Sequence, residues 1–139
     1  MIVLDTHVVS EPLRPAPDAQ VVAWLDAQHV ETLYLTAVTL AELRYGVAVL
    51  PDGRRKRAID ERLERELIPL FDGRVLAFDD AAGRSYALLQ ATARATGRAM
   101  SVMDGLIAAC CAANDFVLAT RNVSHFAATS LDLIDPWEP

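Results

Sequence analysis

Lysine is nearly missing from this chain. Lys56 is the only one, and the remaining twelve of its thirteen basic residues are arginine. Nineteen acids outnumber them and leave a net charge of −6. That balance excludes a general affinity for phosphate backbones through counterion release, so any nucleic-acid contact must be local or carried by a cation. Cysteine is as scarce. Cys110 and Cys111 are adjacent; they form no CxxC pair, metal spacing or disulfide framework and suit a reducing, cytoplasmic setting. Long apolar runs are missing too: the uncharged stretch Gly105 to Ala113 has nine residues, against the ~20 of a membrane span. The chain reaches Asp5 with no basic segment before it and is not read as carrying a secretory signal. No internal repeat, low-complexity run or dividing linker is present.

What the chain does have is apolar bulk. Hydrophobic residues make up 53% and charged residues 23%, a balance that excludes intrinsic disorder. Its 139 residues fit one domain over residues 1–139. A chain of this length buries roughly two-thirds of its unfolded surface without help from metals or disulfides.

The local patterns alternate. Ile2-Val3-Leu4 reads as a buried strand ending at Asp5, and Pro12, Pro15 and Pro17 break the next stretch into a loop or interrupted helix. Asp18 precedes a helix with Val21, Trp24, Leu25 and Gln28 at helical spacing. Leu33-Tyr34-Leu35 is a second strand, followed by a helix with Val38, Glu42 and Tyr45 on one side. Pro51-Asp52-Gly53 is a turn, and residues 54–70 form a charged helical stretch with Arg57/Glu61 and Glu61/Arg65 four apart. Residues 75–78 read as a third strand. Asp79 caps a helix with Ala82, Tyr86, Leu89 and Ala93 on one stripe, ending near Gly97. Ser101 opens another helix, with Met103, Ile107 and Cys110 on a stripe. Residues 116–119 and 131–134 are the fourth and fifth strands. Short apolar strands alternating with helices predict a parallel sheet covered on both faces, and ligands of such sheets sit beyond the carboxyl ends of the strands.

Three acids fall near those ends. Asp5 closes the first strand, Glu42 lies one to two turns into the helix after the second, and Asp104 lies in the first turn of the helix before the fourth. Thr120-Arg121-Asn122 follows the fourth strand directly. Each acid also has a plainer reading, because Thr39-x-x-Glu42 and Ser101-x-x-Asp104 match a capping box and Asp5-Thr6 suits a strand-to-helix cap. Taken together, carboxylates drawn to one apolar rim imply a cation between them, since a buried unpaired carboxylate is costly. An all-oxygen set without clustered His or Cys suits Mg²⁺ or Mn²⁺ rather than zinc. Such an ion activates water and neutralises charge on a phosphodiester.

The chain resembles PIN-domain ribonucleases, specifically the VapC-like toxins of toxin–antitoxin pairs and, among them, the FitB-like group. The resemblance rests on Ile-Val-Leu-Asp5-Thr6-His7-Val-Val-Ser10-Glu11, on Ala41-Glu42-Leu43-Arg44-Tyr45-Gly46, on Ser101-Val-Met-Asp104-Gly-Leu-Ile-Ala-Ala109 and on Leu118-Ala-Thr120-Arg121-Asn122. These four blocks, in order, cover nearly the whole chain. The resemblance implies an α/β three-layer sandwich, with a central, mostly parallel β-sheet flanked by helices. It implies a cytoplasmic endoribonuclease dependent on Mg²⁺ or Mn²⁺, paired with a cognate antitoxin and assembled as a homodimer. The metal-binding and catalytic roles fall to Asp5, Glu42 and Asp104, with Thr6, Thr120 and Asn122 as supporting or substrate-facing groups.

Two departures from the family pattern stand out. His7 occupies a position that is usually Asn. A fourth acid, expected at residue 122 or 125, is replaced by Asn122 and His125, which weakens the case for a second metal ion and leaves a one-metal site intact. His125 could protonate a leaving group, but a lone loop histidine is read as incidental. Arg54-Arg55-Lys56-Arg57 is read as a solvated helix start rather than an RNA contact. Trp24, Tyr45 and Tyr86 are read as packing in the core or an interface rather than stacking on bases. The missing acid also motivates an alternative, a catalytically silent PIN-like module that still binds an antitoxin. A phosphoryl-transfer site with Asp5 as nucleophile is disfavoured, because His7 stands where a second Asp is wanted and Lys56 is the sole lysine.

Overall fold

The computed structural model describes residues 1–139. Five parallel strands form the sheet: β1 (Ile2–Leu4), β2 (Leu33–Thr36), β3 (Val75–Leu76), β4 (Val117–Ala119) and β5 (Leu133–Ile134), in the order β3-β2-β1-β4-β5. The helices are α1 (Thr6–Ser10), α2 (Ala19–Asp26), α3 (Ala37–Ala48), α4 (Arg54–Glu61), α5 (Asp80–Ala95) and α6 (Val102–Asn114). The α/β sandwich with a parallel sheet is the architecture that the alternating pattern predicts.

Successive side chains of a strand point to opposite faces, so a central strand must be apolar on both. In β1, Val3 enters the core under α5 and α6, while Leu4 enters the core under α1, α3 and the segment after α4. In β4, Leu118 and Ala119 divide in the same way. The two helical layers are thereby fixed to one sheet.

The strand order puts the switch in winding direction between β1 and β4. From β1 the chain proceeds outward through β2 and β3, then returns through α5 and α6 to β4 on the other side. The crevice at the carboxyl ends of the two strands flanking such a switch is the usual ligand position. Register brings Leu4 beside Ala119, and the Asp5 amide donates to the Ala119 carbonyl at 2.9 Å. Asp5 and Thr120 are thus neighbours at that crevice.

Several local expectations need correction. The third strand stops at Leu76 rather than 78, because β2 ends at Thr36, opposite Leu76, and leaves no partner for Ala77 and Phe78. The fourth and fifth strands are shorter for similar reasons: Phe116 donates to Cys111 in the C-terminal turn of α6, and β5 pairs only at Leu133 and Ile134. On α3 the buried stripe is Thr39, Leu40, Leu43 and Val47 with Val38; Tyr45 is 70% exposed and lies outside the core. On α6, Ile107 and Cys110 are buried but Met103 is exposed. Trp24 packs beside the core, and Tyr86 meets Phe78 edge-on at 6.3 Å between ring centroids.

The connection from α5 to α6 is held at both ends. Gly97 takes φ 72, and Arg98 N–H and Gly97 N–H donate to Ala93 and Arg94 carbonyls, which is the Schellman arrangement. Gln90 then clasps Met100 from both sides, Nε2 donating to its carbonyl at 2.9 Å and Oε1 accepting from its amide at 3.2 Å. A Cβ at Gly105 would lie 2.9 Å from both Gln90 Nε2 and Tyr86. Gly105→Ala gains about 1 kcal/mol of helix propensity but overpacks a clasped amide at about 1–3 kcal/mol. The expected outcome is a lower melting temperature by calorimetry, despite the better helix former.

Candidate active site

Asp5 follows β1 and serves as the N-cap of α1, so the end of a strand and the start of a helix meet at one carboxylate. Its Oδ1 accepts from Thr6 N–H at 2.8 Å and its Oδ2 from Thr120 Oγ1 at 2.7 Å. Asp5 is only 4% exposed and Thr120 is fully buried. Thr120 Oγ1 accepts from Asn122 N–H at 3.1 Å, and its own proton goes to Asp5.

Glu42 enters through Thr6, whose Oγ1 donates to Glu42 Oε1 at 2.7 Å. The capping reading of Glu42 fails, because Thr36 is the N-cap of α3 and accepts from Thr39 N–H. For Asp104 half of the capping reading holds: Ser101 Oγ accepts from Asp104 N–H at 3.2 Å. The Asp104 carboxylate is otherwise engaged, with Oδ2 at 3.2 Å from His125 Nδ1.

His125 is therefore no incidental loop residue. It stands on the short 3-10 turn Val123–Phe126, pinned by Phe126 in the core. No local pattern announces the contact, since the two residues are 21 apart. Glu11 was likewise illegible: it is 4% exposed, accepts from Asp18 N–H at 2.9 Å and pairs with Arg14 at 3.4 Å. It ties down the proline-rich loop rather than joining the site. Asn122 contributes its backbone N–H to Thr120. The basic run lies on α4 with Arg54, Arg55 and Arg57 exposed; Lys56 turns back to the Ala48 carbonyl and Asp52. Glu61 pairs with Arg65, whereas the expected Arg57–Glu61 pair is not formed.

The electrostatics centre on Asp5. Burial pushes its carboxyl above the ordinary 3.8; the bonds from Thr120 and Thr6 pull it down, the Asp104 charge pushes it up again, and His7 opposes weakly. The Asp104 charge is thus near enough to act on the Asp5 carboxyl. The three acids do not form a closed cage, since no three His, Cys, Asp or Glu side chains are gathered around one point. Asp5 and Glu42 are joined through Thr6, while Asp104 approaches from α6. The donor set still fits a hard cation. All the candidate ligands are oxygens, and Mg²⁺ commonly uses one or two carboxylates and keeps several waters. A cation here would also relieve the repulsion between Asp5 and Asp104.

The family model that matches is the PIN domain, over residues 2–130. The chain belongs to the PIN-domain family. It is 52% identical to the VapC ribonuclease Y4jK of Sinorhizobium fredii, covering 100% of this chain and 99% of that protein. It is 45% identical to the toxin FitB of Neisseria gonorrhoeae, covering 99% of each. The crystal structure of FitAcB from the same organism superposes with a TM-score of 0.96 at 45% identity, covering 100% of both chains. The PIN fold and the likeness to FitB, expected from the four sequence blocks, are thereby established.

Two predictions follow from the burial of Asp5. Its folded-state pKa is raised, so its contribution to stability is complete below the ordinary 3.8 and is lost as pH rises through the raised value. With chelator present, the melting temperature of Asp5→Asn relative to the unsubstituted chain should therefore climb between about pH 4 and 7; a constant difference would contradict the raised pKa. Thr120→Val removes the donor to Asp5 Oδ2 and should cost about 1–3 kcal/mol in denaturant unfolding, although the side chains are nearly the same shape.

Proposed function

We propose that this protein is a divalent-metal-dependent endoribonuclease and the toxin of a toxin–antitoxin pair, with residues 1–139 acting as one PIN domain. The observation that carries the reading is the buried Asp5 carboxylate at the β1/β4 switch point, bridged by Thr6 to Glu42 and pushed up by the charge of Asp104. The names of the relatives, a VapC ribonuclease and a toxin, support the same reaction class.

Asp5, Asp104 and Glu42 would hold the ion, Mg²⁺ or Mn²⁺. When bound, the ion supplies positive charge for the phosphate and lowers the pKa of water. The protein's part is positional. Thr6 and Thr120 fix Asp5 through both oxygens, Thr6 also fixes Glu42, and His125 fixes Asp104 through Oδ2. Donors already in place do not have to reorganise as charge develops on phosphorus. In the hydrolysis, a water oxygen bonds to phosphorus and the ester oxygen departs with a proton.

The partners follow from the same chemistry. RNA is the substrate. The antitoxin is a protein offering a cation to the acidic crevice, where guanidinium would pair well with carboxylates. A homodimer fits the apolar side chains exposed on the surface, among them Leu88 and Val102.

The alternative, a silent module, draws on Asn122 in place of a fourth acid. Incubation of purified protein with mixed RNA separates the two. Cleavage should appear with Mg²⁺ or Mn²⁺, stop with EDTA, and fall by at least about a hundredfold in Asp5→Asn and Asp104→Asn. Cleavage unaffected by EDTA would refute the metal dependence, and no cleavage at any metal concentration would favour the silent module.

A further inference from the structure

The fourth strand runs out into Thr120-Arg121-Asn122, and the residues on either side of the arginine are committed. Thr120 Oγ1 donates to Asp5 Oδ2 at 2.7 Å, and Asn122 N–H donates to Thr120 Oγ1 at 3.1 Å. The backbone of Arg121 is thereby fixed beside the buried carboxylate, while its side chain is exposed and belongs to no ion pair. Its guanidinium carbon lies over the indole of Trp137 instead, 5.0 Å from the ring centroid. Asp135 and Glu138 flank that tryptophan in the chain, yet neither pairs with Arg121.

Trp137 is a fixed support. It is half-buried and packs beside the core under α1 and α3. Its backbone N–H donates to Asp135 Oδ1 at 2.9 Å, and its carbonyl accepts from Gln20 Nε2 at 2.8 Å. Pro136 before it is buried. The segment after β5 is thus laid against the first turn of α2 and passes under Arg121.

An aromatic partner does to a guanidinium what a carboxylate does not. A carboxylate neutralises the charge and occupies the N–H fork. A ring holds the cation through its quadrupole, leaves the charge whole and keeps the planar fork for a bidentate acceptor. A side chain already held also loses less freedom when it binds. In a chain of net charge −6, such a cation at the carboxyl end of β4 is a local attraction for a polyanion. Building on the ribonuclease reading, we propose that Arg121, held by Trp137, takes a backbone phosphate of the RNA strand beside the acidic crevice. The contact is to phosphate, so it anchors the strand without reading its sequence. Trp137 acts through Arg121 and is a positioning residue.

The test measures binding across a salt series. Fluorescence anisotropy follows two labelled single-stranded RNAs of unrelated sequence on the Asp104→Asn chain, with chelator present so that the strands stay intact. Arg121→Gln, which keeps a long side chain and loses the charge, should weaken both RNAs alike by about tenfold. It should also flatten the slope of log affinity against log salt by about 0.7, the share of one phosphate on a single strand. Arg121→Lys keeps the charge and should keep the slope, while losing about threefold in affinity with the fork. Trp137→Leu should lose about threefold, and Trp137→Phe should restore the affinity by restoring a ring face. Unchanged affinity or an unchanged slope in Arg121→Gln overturns the phosphate contact, as does a lack of RNA binding before that substitution. Equal losses in Trp137→Leu and Trp137→Phe overturn the support by the ring. Cleavage by the metal-loaded, unsubstituted chain is a separate assay. Cleavage together with an Arg121→Gln chain that binds normally overturns this contact alone, and a flattened slope without cleavage overturns the ribonuclease reading alone.

Discussion

The Asp5 carboxylate is surrounded by protein and bonded through both oxygens, and the rest of the site is arranged around that constraint. A charge at 4% exposure is costly without donors. Thr6 N–H and Thr120 Oγ1 supply them from the two chain segments that leave the carboxyl ends of β1 and β4. The bonds therefore tie together the strand pair at the switch point. The Asp104 charge works against them by pushing the Asp5 carboxyl up.

The overall charge is a second constraint. At −6 the protein repels polyanions at long range, so any contact with one has to be local. Of the arginines that look most suitable in the sequence, Arg54 and Arg57 are exposed on α4, while Arg55 lines a cleft with Thr6, His7 and Glu42. Arg98, isolated in sequence, is the one beside Asp104. Local positive charge at the crevice matters more than density of charge along the chain, because screening in salt limits the reach of exposed charges to about 8 Å.

The replacement of the expected fourth acid has two linked effects. Asn122 carries no charge and works through its backbone N–H on Thr120, so the site loses a potential anionic ligand. His125 fills the neighbouring space and bonds Asp104. The repulsion among acids is smaller than in a four-acid site.

The residues alone determined a good deal. Apolar runs marked both central strands, because a strand buried on both faces tolerates no polar residue. Asp79 and Ser101 marked helix starts, because a cap acts on amides two or three residues away. The four blocks identified the family. Tertiary structure decided what depends on partners far along the chain. The length of β3 was set by where β2 turns into α3, and Glu42 belongs with Asp5 only through Thr6, 36 residues earlier. The contact from His125 to Asp104 exists because α6 and the 3-10 turn meet at the edge of the sheet. Periodicity and capping are local interactions written in neighbouring residues; pairing across the sheet edge is a matter of which strands adjoin, and no stretch of the sequence contains that by itself.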